Sequence, residues 1–130
     1  MPIALTLDKF LCALGDTVTL TASFTAPPGT SEVLVSIGVI RPDGNIEYPV
    51  YMQRLTPPPP AAGAAPSAFQ STVTTAYKSK MMGFHKAFAQ FYAYQNSQQI
   101  GNELTPLDLF GAKWLFVGPS LALILPSAGS

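Results

Sequence analysis

Between Thr17 and Thr25 the chain alternates without a break, with Val18, Leu20, Ala22 and Phe24 standing between Thr17, Thr19, Thr21, Ser23 and Thr25. A period of two places the four apolar side chains on one face of an extended segment, and the β-branched threonines favour extended backbone while staying hydrated on the other. This segment is expected to be a half-buried strand.

The same pattern recurs along the chain. Leu5 to Phe10 alternates more weakly, and Gly15-Asp16 supplies a turn before the threonine strand. After Ala26-Pro-Pro-Gly29, the run Glu32 to Ile40 sets Val33, Val35, Ile37 and Val39 on one side, with Leu34 and Ile40 making the other side partly apolar, as in a central strand. Pro42-Asp43-Gly44 fits a tight turn, and Ile46, Tyr48, Val50 and Met52 resume the alternation, so residues 33 to 53 read as a hairpin. Phe69 to Tyr77 is a further strand, with Phe69, Val73 and Tyr77 set against Gln70, Thr72 and Thr74.

Two periods compete in the next segment. Met81, Phe84, His85, Phe88, Phe91 and Tyr92 fall at helical spacing, whereas Phe84, Phe88, Tyr92 and Tyr94 also share one side of a strand. The density of aromatics and the β character of the rest favour a strand over 84 to 95. Thr105-Pro106 resembles a helix start, with Thr105 as cap and one short helix over 106 to 111, and Trp114 to Leu125 is expected to be a strand bent at Gly118-Pro119. Pro57, Pro58, Pro59, Pro60 and Pro66 frame a Pro/Ala-rich loop at about 56 to 67, too poor in N–H donors and large side chains to join a sheet. It is either a passive connection or an arm that reaches a neighbouring subunit.

The 130 residues suit one β-sandwich domain. Charge is scarce: 11% of residues are Asp, Glu, Lys or Arg, against roughly 25% in an average protein, and seven acids balance seven bases. A surface so thinly charged is expected to be covered by neighbours, so an assembled state, a homo-oligomer or a lattice-bound subunit, is the working expectation. The same balance argues against nucleic acid as ligand, since Lys78, Lys80, His85 and Lys86 form the nearest thing to a basic cluster. Met1 to Gly15 has no basic leader, which argues against a secretory signal, and the apolar run from Trp114 is too short and too broken by Gly118-Pro119 to span a membrane.

Leu5-Thr-Leu-Asp-Lys-Phe10 followed by Gly15-Asp-Thr-Val-Thr-Leu-Thr-Ala-Ser-Phe24 resembles the opening of bacterial and phage immunoglobulin-like domains, and Arg41-Pro-Asp-Gly-Asn45 resembles the turn after their third strand. The resemblance covers about the first third of the chain. It implies an all-β, immunoglobulin-like sandwich of about seven strands with at most one short helix, a jelly roll being the alternative. The immunoglobulin disulfide is absent, Cys12 being the single cysteine and expected to be a small buried apolar residue.

Catalysis is poorly provided for. One histidine, His85, could pair with a serine and with Asp16 or Asp108, but no nucleophile motif occurs, and a lone histidine is ordinarily structural. No phosphate loop, His-x-x-x-His pair or calcium loop is present, so neither an enzyme nor a cofactor is expected. Phe84, Phe88, Phe91, Tyr92, Tyr94 and Trp114 could form a binding face, with Tyr92, Tyr94 and Trp114 as the candidate aromatic surface, though most of the six are expected to fill the core. The function expected is that of a structural or interaction protein packing against protein, namely a virion subunit such as a capsid decoration or minor coat protein, made in the host cytoplasm. The alternative is a carbohydrate- or cell-surface-binding module.

Overall fold

A computed structural model of the chain describes residues 3–108 and 111–119. Nine strands run through them: β1 (Ala4–Leu7), β2 (Leu11–Ala13), β3 (Thr17–Ala26), β4 (Glu32–Ile40), β5 (Ile46–Leu55), β6 (Phe69–Lys78), β7 (Gly83–Gln95), β8 (Gln98–Leu104) and β9 (Lys113–Gly118). They form a β-sandwich whose smaller sheet has the order β1-β3-β6 and whose larger sheet has the order β2-β9-β7-β4-β5. On the edge of β7 away from β4, β9 pairs with residues 83–87 and β8 with residues 90–95.

The alternation of β3 carries through to the packing. Val18, Leu20, Ala22 and Phe24 are buried against the other sheet, while the outer threonines meet their neighbours in register, Thr21 Oγ1 lying 3.4 Å from Thr74 Oγ1 and Ser23 Oγ 3.3 Å from Thr72 Oγ1. Opposite, Val33, Val35, Ile37 and Val39 of β4 are buried, and β4 is central, between β5 and β7. Phe24 of β3 stacks on Phe91 of β7 with centroids 4.8 Å apart, a contact that bridges the two sheets. Burial of each such large side chain contributes roughly 1.5–3 kcal/mol.

The ambiguous segment is strand, the thirteen residues of β7, paired on both edges. Alanines occupy most of its inward positions: Ala87, Ala89 and Ala93 alternate with the outward residues, and His85 and Phe91 are the large inward groups. The turn at Pro42-Asp43-Gly44 is as expected, with Gly44 at φ +87°, a backbone that favours glycine, and its N–H on the Arg41 carbonyl at 2.9 Å. Residues 56 to 68 carry no regular structure.

Three expectations need correction. Residues 105–108 form no helix: the Thr105 hydroxyl, rather than capping, accepts the Ala89 N–H at 3.0 Å, and its own N–H bonds the Ala89 carbonyl, so it extends the β7–β8 pairing. A single backbone bond from Ala112 N–H to the Asp108 carbonyl is all that remains of a helical turn, and Leu109 and Phe110 lie outside the described residues. In β5 the alternation of Ile46, Tyr48, Val50 and Met52 breaks, because register shifts against β4 on both sides of Ile37 turn Val50 inward and leave Ile46 and Tyr48 outside. Cys12 is half-buried at the sheet margin rather than enclosed, its thiol pushed above its ordinary value by that burial and then by Asp16. The end of the expected closing strand, Ser120 to Leu125, lies outside the described residues.

Candidate functional site

Outward residues of the larger sheet fall in rows set by strand register, because directly paired residues share a face. Leu11, Phe116 and Phe84 form one row, and Trp114, Lys86, Ile40 and Ile46 the next. Phe88 and Gly38 pair in the row beyond, where the Tyr48 ring meets Phe88 at 6.0 Å and Tyr51 meets Tyr48 at 5.1 Å. The result is an apolar stripe running diagonally across five strands, from β2 to β5. Several of its members are open to solvent: Leu11 is 62% exposed, Phe84 62%, Tyr51 70% and Phe116 36%.

The rings of the stripe stand across one another. Phe84 meets Trp114 at an interplanar angle of 89°, Tyr48 meets Phe88 at 87° and Tyr51 at 68°, and Phe84 meets Phe116 at 56°. Edge-to-face contact puts the positive ring edge on the negative ring face and leaves ridges with slots between them. Lys86, the charge at the centre of the stripe, is satisfied locally: its Nζ donates to the Leu107 carbonyl at 2.6 Å and lies 5.1 Å from the Trp114 ring centroid. The tip of the Phe88 ring lies over Gly38, where a Cβ would fall 2.3 Å from its Cζ.

Tyr92, Tyr94 and Trp114 share this outer face and are half-buried, but they are not together. Trp114 pairs with Lys86 and Tyr92 lies six residues further along β7, roughly 20 Å at the rise of a strand. Tyr92 accepts a hydrogen bond from Gln90 Nε2 at 2.8 Å. Of the six aromatics considered from sequence, Phe91 alone joins the core between the sheets. Leu11, Tyr48, Tyr51 and Phe116 belong to the stripe and went unrecognised, since pairing between distant strands gathers them. Pro57, Pro58, Pro59, Pro60 and Pro66 line an open groove with Gly29, Ser31 and Gln95, away from the stripe at the far end of β7.

A polar cluster lies at the stripe's other flank. Arg41 donates to both carboxylate oxygens of Asp43, from Nε at 3.1 Å and Nη2 at 2.6 Å, and with Asn45 it holds that carboxyl down to about 2. Glu47 sits 3.7 Å from Arg41 Nη1 and accepts the Tyr77 hydroxyl at 3.0 Å, which ties β5 to β6 across the sandwich. Burial, with help from Glu47, pushes the Tyr77 phenol up to about 12.

His85 is fully buried, as is Ser79 at 5% exposure. Nδ1 faces the Gly83 carbonyl at 3.1 Å and Nε2 the Ser79 hydroxyl at 2.7 Å, while that hydroxyl also donates to the Met81 carbonyl at 2.7 Å and accepts the Met81 N–H at 3.1 Å. A serine and histidine are thus in contact, but no carboxylate orients the imidazole and the pair is closed to solvent, so it acts as a hydrogen bond within the core. His85 also removes itself from the basic cluster read in the sequence. Among the described residues no three His, Cys, Asp or Glu side chains gather to hold a metal ion, and no helix is long and apolar enough to cross a membrane.

The buried imidazole has a consequence for acid stability. Burial lowers its pKa below the ordinary value, with Gly83 and Glu47 acting against that shift. The unfolded chain therefore binds this proton more tightly than the native one. Above the unfolded value near 6.5 the group costs nothing; as pH falls through 6.5 stability drops, by at most about 1.4 kcal/mol per pH unit, until the folded pKa is reached. Urea midpoints between pH 7.5 and 5 should fall in the native protein and fall less steeply in His85→Gln; equal slopes would place the titration elsewhere.

No family model matches the chain, and no curated protein matches it. Among solved structures it is similar to Spo0M, a sporulation control protein from Bacillus subtilis, at 10% identity and a TM-score of 0.32. That likeness covers 90% of this chain and 49% of Spo0M, so the chain spans about half that protein's length, and at this level it carries no inference about function.

Proposed function

We propose that this protein is a structural subunit that works by packing the outer stripe of its larger sheet against protein within a larger assembly. The observation that supports the reading is the stripe itself: Leu11, Phe84, Phe116, Tyr48 and Tyr51 expose apolar surface side by side, on a chain whose surface is thinly charged. Monomeric proteins rarely leave such a patch open without a partner for it. Aromatic anchors surrounded by polar residues are also what protein interfaces concentrate.

Perpendicular rings favour protein over sugar. A flat saccharide stacks on rings lying in one plane, whereas here neighbouring rings are turned by 56–89° and Lys86 sits over the indole face. A virion is the assembly we propose, as a capsid decoration or minor coat protein. Low charge and the resemblance of the first third of the chain to immunoglobulin-like modules support that narrower reading.

Co-sedimentation from cells making the protein tests it. The native chain should travel with large particles, and Phe84→Lys with Tyr51→Lys should leave the particle fraction while melting at an unchanged temperature, since both side chains are exposed. Retention of the double variant in particles would remove the stripe from the mechanism, and a native chain absent from every particle would end the assembly reading.

A further inference from the structure

Independently of the stripe, we infer that two copies of this chain join edge to edge through β6, antiparallel about a two-fold axis at Val73, so that their smaller sheets continue as one six-stranded sheet. β6 is an outer strand of the smaller sheet, and it pairs with β3 alone. Along its other side every second residue turns its N–H and C=O away from the sheet, and among the described residues no protein hydrogen bond reaches them.

Edges of this kind recruit further strands unless they are defended by short length, proline, inserted residues or charge. Among the described residues the other edges carry such defences. β1 and β2 have four and three residues. β5 holds Pro49, which has no N–H, two register shifts against β4, and Met52 at φ +48°. β8 has a register shift against β7, with Gly101 and Glu103 within it. β6 has none of these: its ten residues keep unbroken register with β3, with no proline, no glycine and no charge before Lys78 at its end.

The strand is complementary to itself. Antiparallel neighbours keep inner and outer faces together only when opposed residues belong to the same face, and a two-fold at Val73 achieves this. On the inner face Val73 meets its own copy and Phe69 meets Tyr77; on the outer face Thr72 meets Thr74, twice. β3 already shows that this outer row takes a hydroxyl-bearing neighbour, since the Thr74 hydroxyl lies 3.4 Å from that of Thr21 and the Thr72 hydroxyl 3.3 Å from that of Ser23. The next register that keeps the faces, with its two-fold at Thr74, would set Phe69 against Ser79, beyond the end of the strand.

Charge agrees with the pairing. Lys78, Glu47 on the Tyr77 hydroxyl, and Arg41 and Asp43 beside Glu47 all stand at one end of β6. The two-fold sends the two sets to opposite ends of the paired strands, about 26 Å apart at the rise of a strand. Lys78 falls opposite Ala68, in a segment, 56 to 68, with no charged residue. A two-fold between antiparallel strands stands normal to the sheet, so both larger sheets lie on the same side of the joined one. Both stripes then face the same way, which offers a lattice two points of attachment per dimer.

Sedimentation equilibrium of the full chain tests the pairing. Thr72→Lys/Thr74→Lys sets lysine against lysine twice across the axis and should raise the dimer dissociation constant at least roughly tenfold, the scale of two like-charge cross-strand pairs. Thr72→Lys/Thr74→Glu sets lysine against glutamate at the same places and should dimerise at least as tightly as the native chain. Both threonines are exposed, and a thermal melt checks that each variant is folded. Phe84→Lys/Tyr51→Lys, altered only at the stripe, should dimerise as the native chain does. A native chain monomeric at every concentration, an unchanged constant in the double-lysine variant, equal weakening by both threonine variants, or a dimer lost only in the stripe variant would each overturn pairing at Val73. The stripe itself is judged by the particle assay: a monomeric chain whose stripe variant still leaves the particles would refute the β6 pairing and keep the packing surface.

Discussion

Replacing Phe91 with alanine should cost about 3–5 kcal/mol, the range for truncating a large ring in a packed core. Phe91 is 1% exposed and stacks on Phe24 at 4.8 Å, which in turn meets Phe69 edge-on at 6.5 Å. The three rings come from β7, β3 and β6, so removal of the first opens a void between the sheets rather than at an edge. The inward neighbours of Phe91 on β7 are Ala89 and Ala93, whose short side chains cannot reach into that space. Against the 5–15 kcal/mol of stability typical of a domain, this loss is a large share, and the melting temperature should fall by roughly 10–20 °C. Phe91→Leu, which refills much of the volume, should recover more than half. A urea titration with unchanged m-value and a loss below about 1 kcal/mol would show that the ring does not hold the sheets together.

The second large effect is expected at Gly38, where the defect would be crowding. A methyl group there falls 2.3 Å from Phe88 Cζ and 2.6 Å from Cε1, closer than non-bonded carbons approach. β4 is pinned between β5 and β7, so the ring must move. Gly38→Ala should therefore destabilise by about 1–3 kcal/mol, the usual cost of overpacking, although alanine by itself suits a strand better than glycine. The ring swings into solvent and adds to the exposed stripe, so the variant should also self-associate more readily. Phe88→Ala removes the obstacle: Gly38→Ala should cost nothing further in that background, and the coupling between the two sites, read from a double-mutant cycle, should equal most of the single-variant loss. Additive effects would mean that the ring does not lie over the glycine.

Legibility in the sequence followed the asymmetry of each strand. β3 was readable because its two faces differ in chemistry at every step from Val18 to Phe24. β5 misled because its pattern continues through the register shifts opposite Ile37, and periodicity has no marker for an inserted residue. β8 went unseen: Gln98, Gln99, Asn102 and Glu103 offer no apolar alternation, and their partner strand is reached through Asn96 and Ser97, both at positive φ as a two-residue hairpin turn requires. Thr105 carried a helix-cap signal that a buried backbone amide of β7 outcompeted. As for the stripe, Trp114 and Tyr92 drew attention as aromatics, yet the face depends on Leu11 beside Phe116 beside Phe84, an adjacency set by strand order and invisible to local pattern.

The parallel pairing of β2 with β9 gives this fold a temporal order. Leu11 waits for Phe116, and the Ile3 N–H waits for Glu103, 100 residues later. Folds dominated by such distant pairings form in milliseconds to seconds, because loop-closure entropy is lost before the contacts return it. On a ribosome adding about 5–20 residues per second, the β4–β5 hairpin emerges several seconds before β7 can pair with it. During that interval Val33, Val35, Ile37 and Val39 have no neighbour on that side. The nascent chain is thus most prone to stick to others midway through synthesis, and a chain halted before Lys113 would form a sandwich whose larger sheet still lacks β9, the strand that joins β2 to β7.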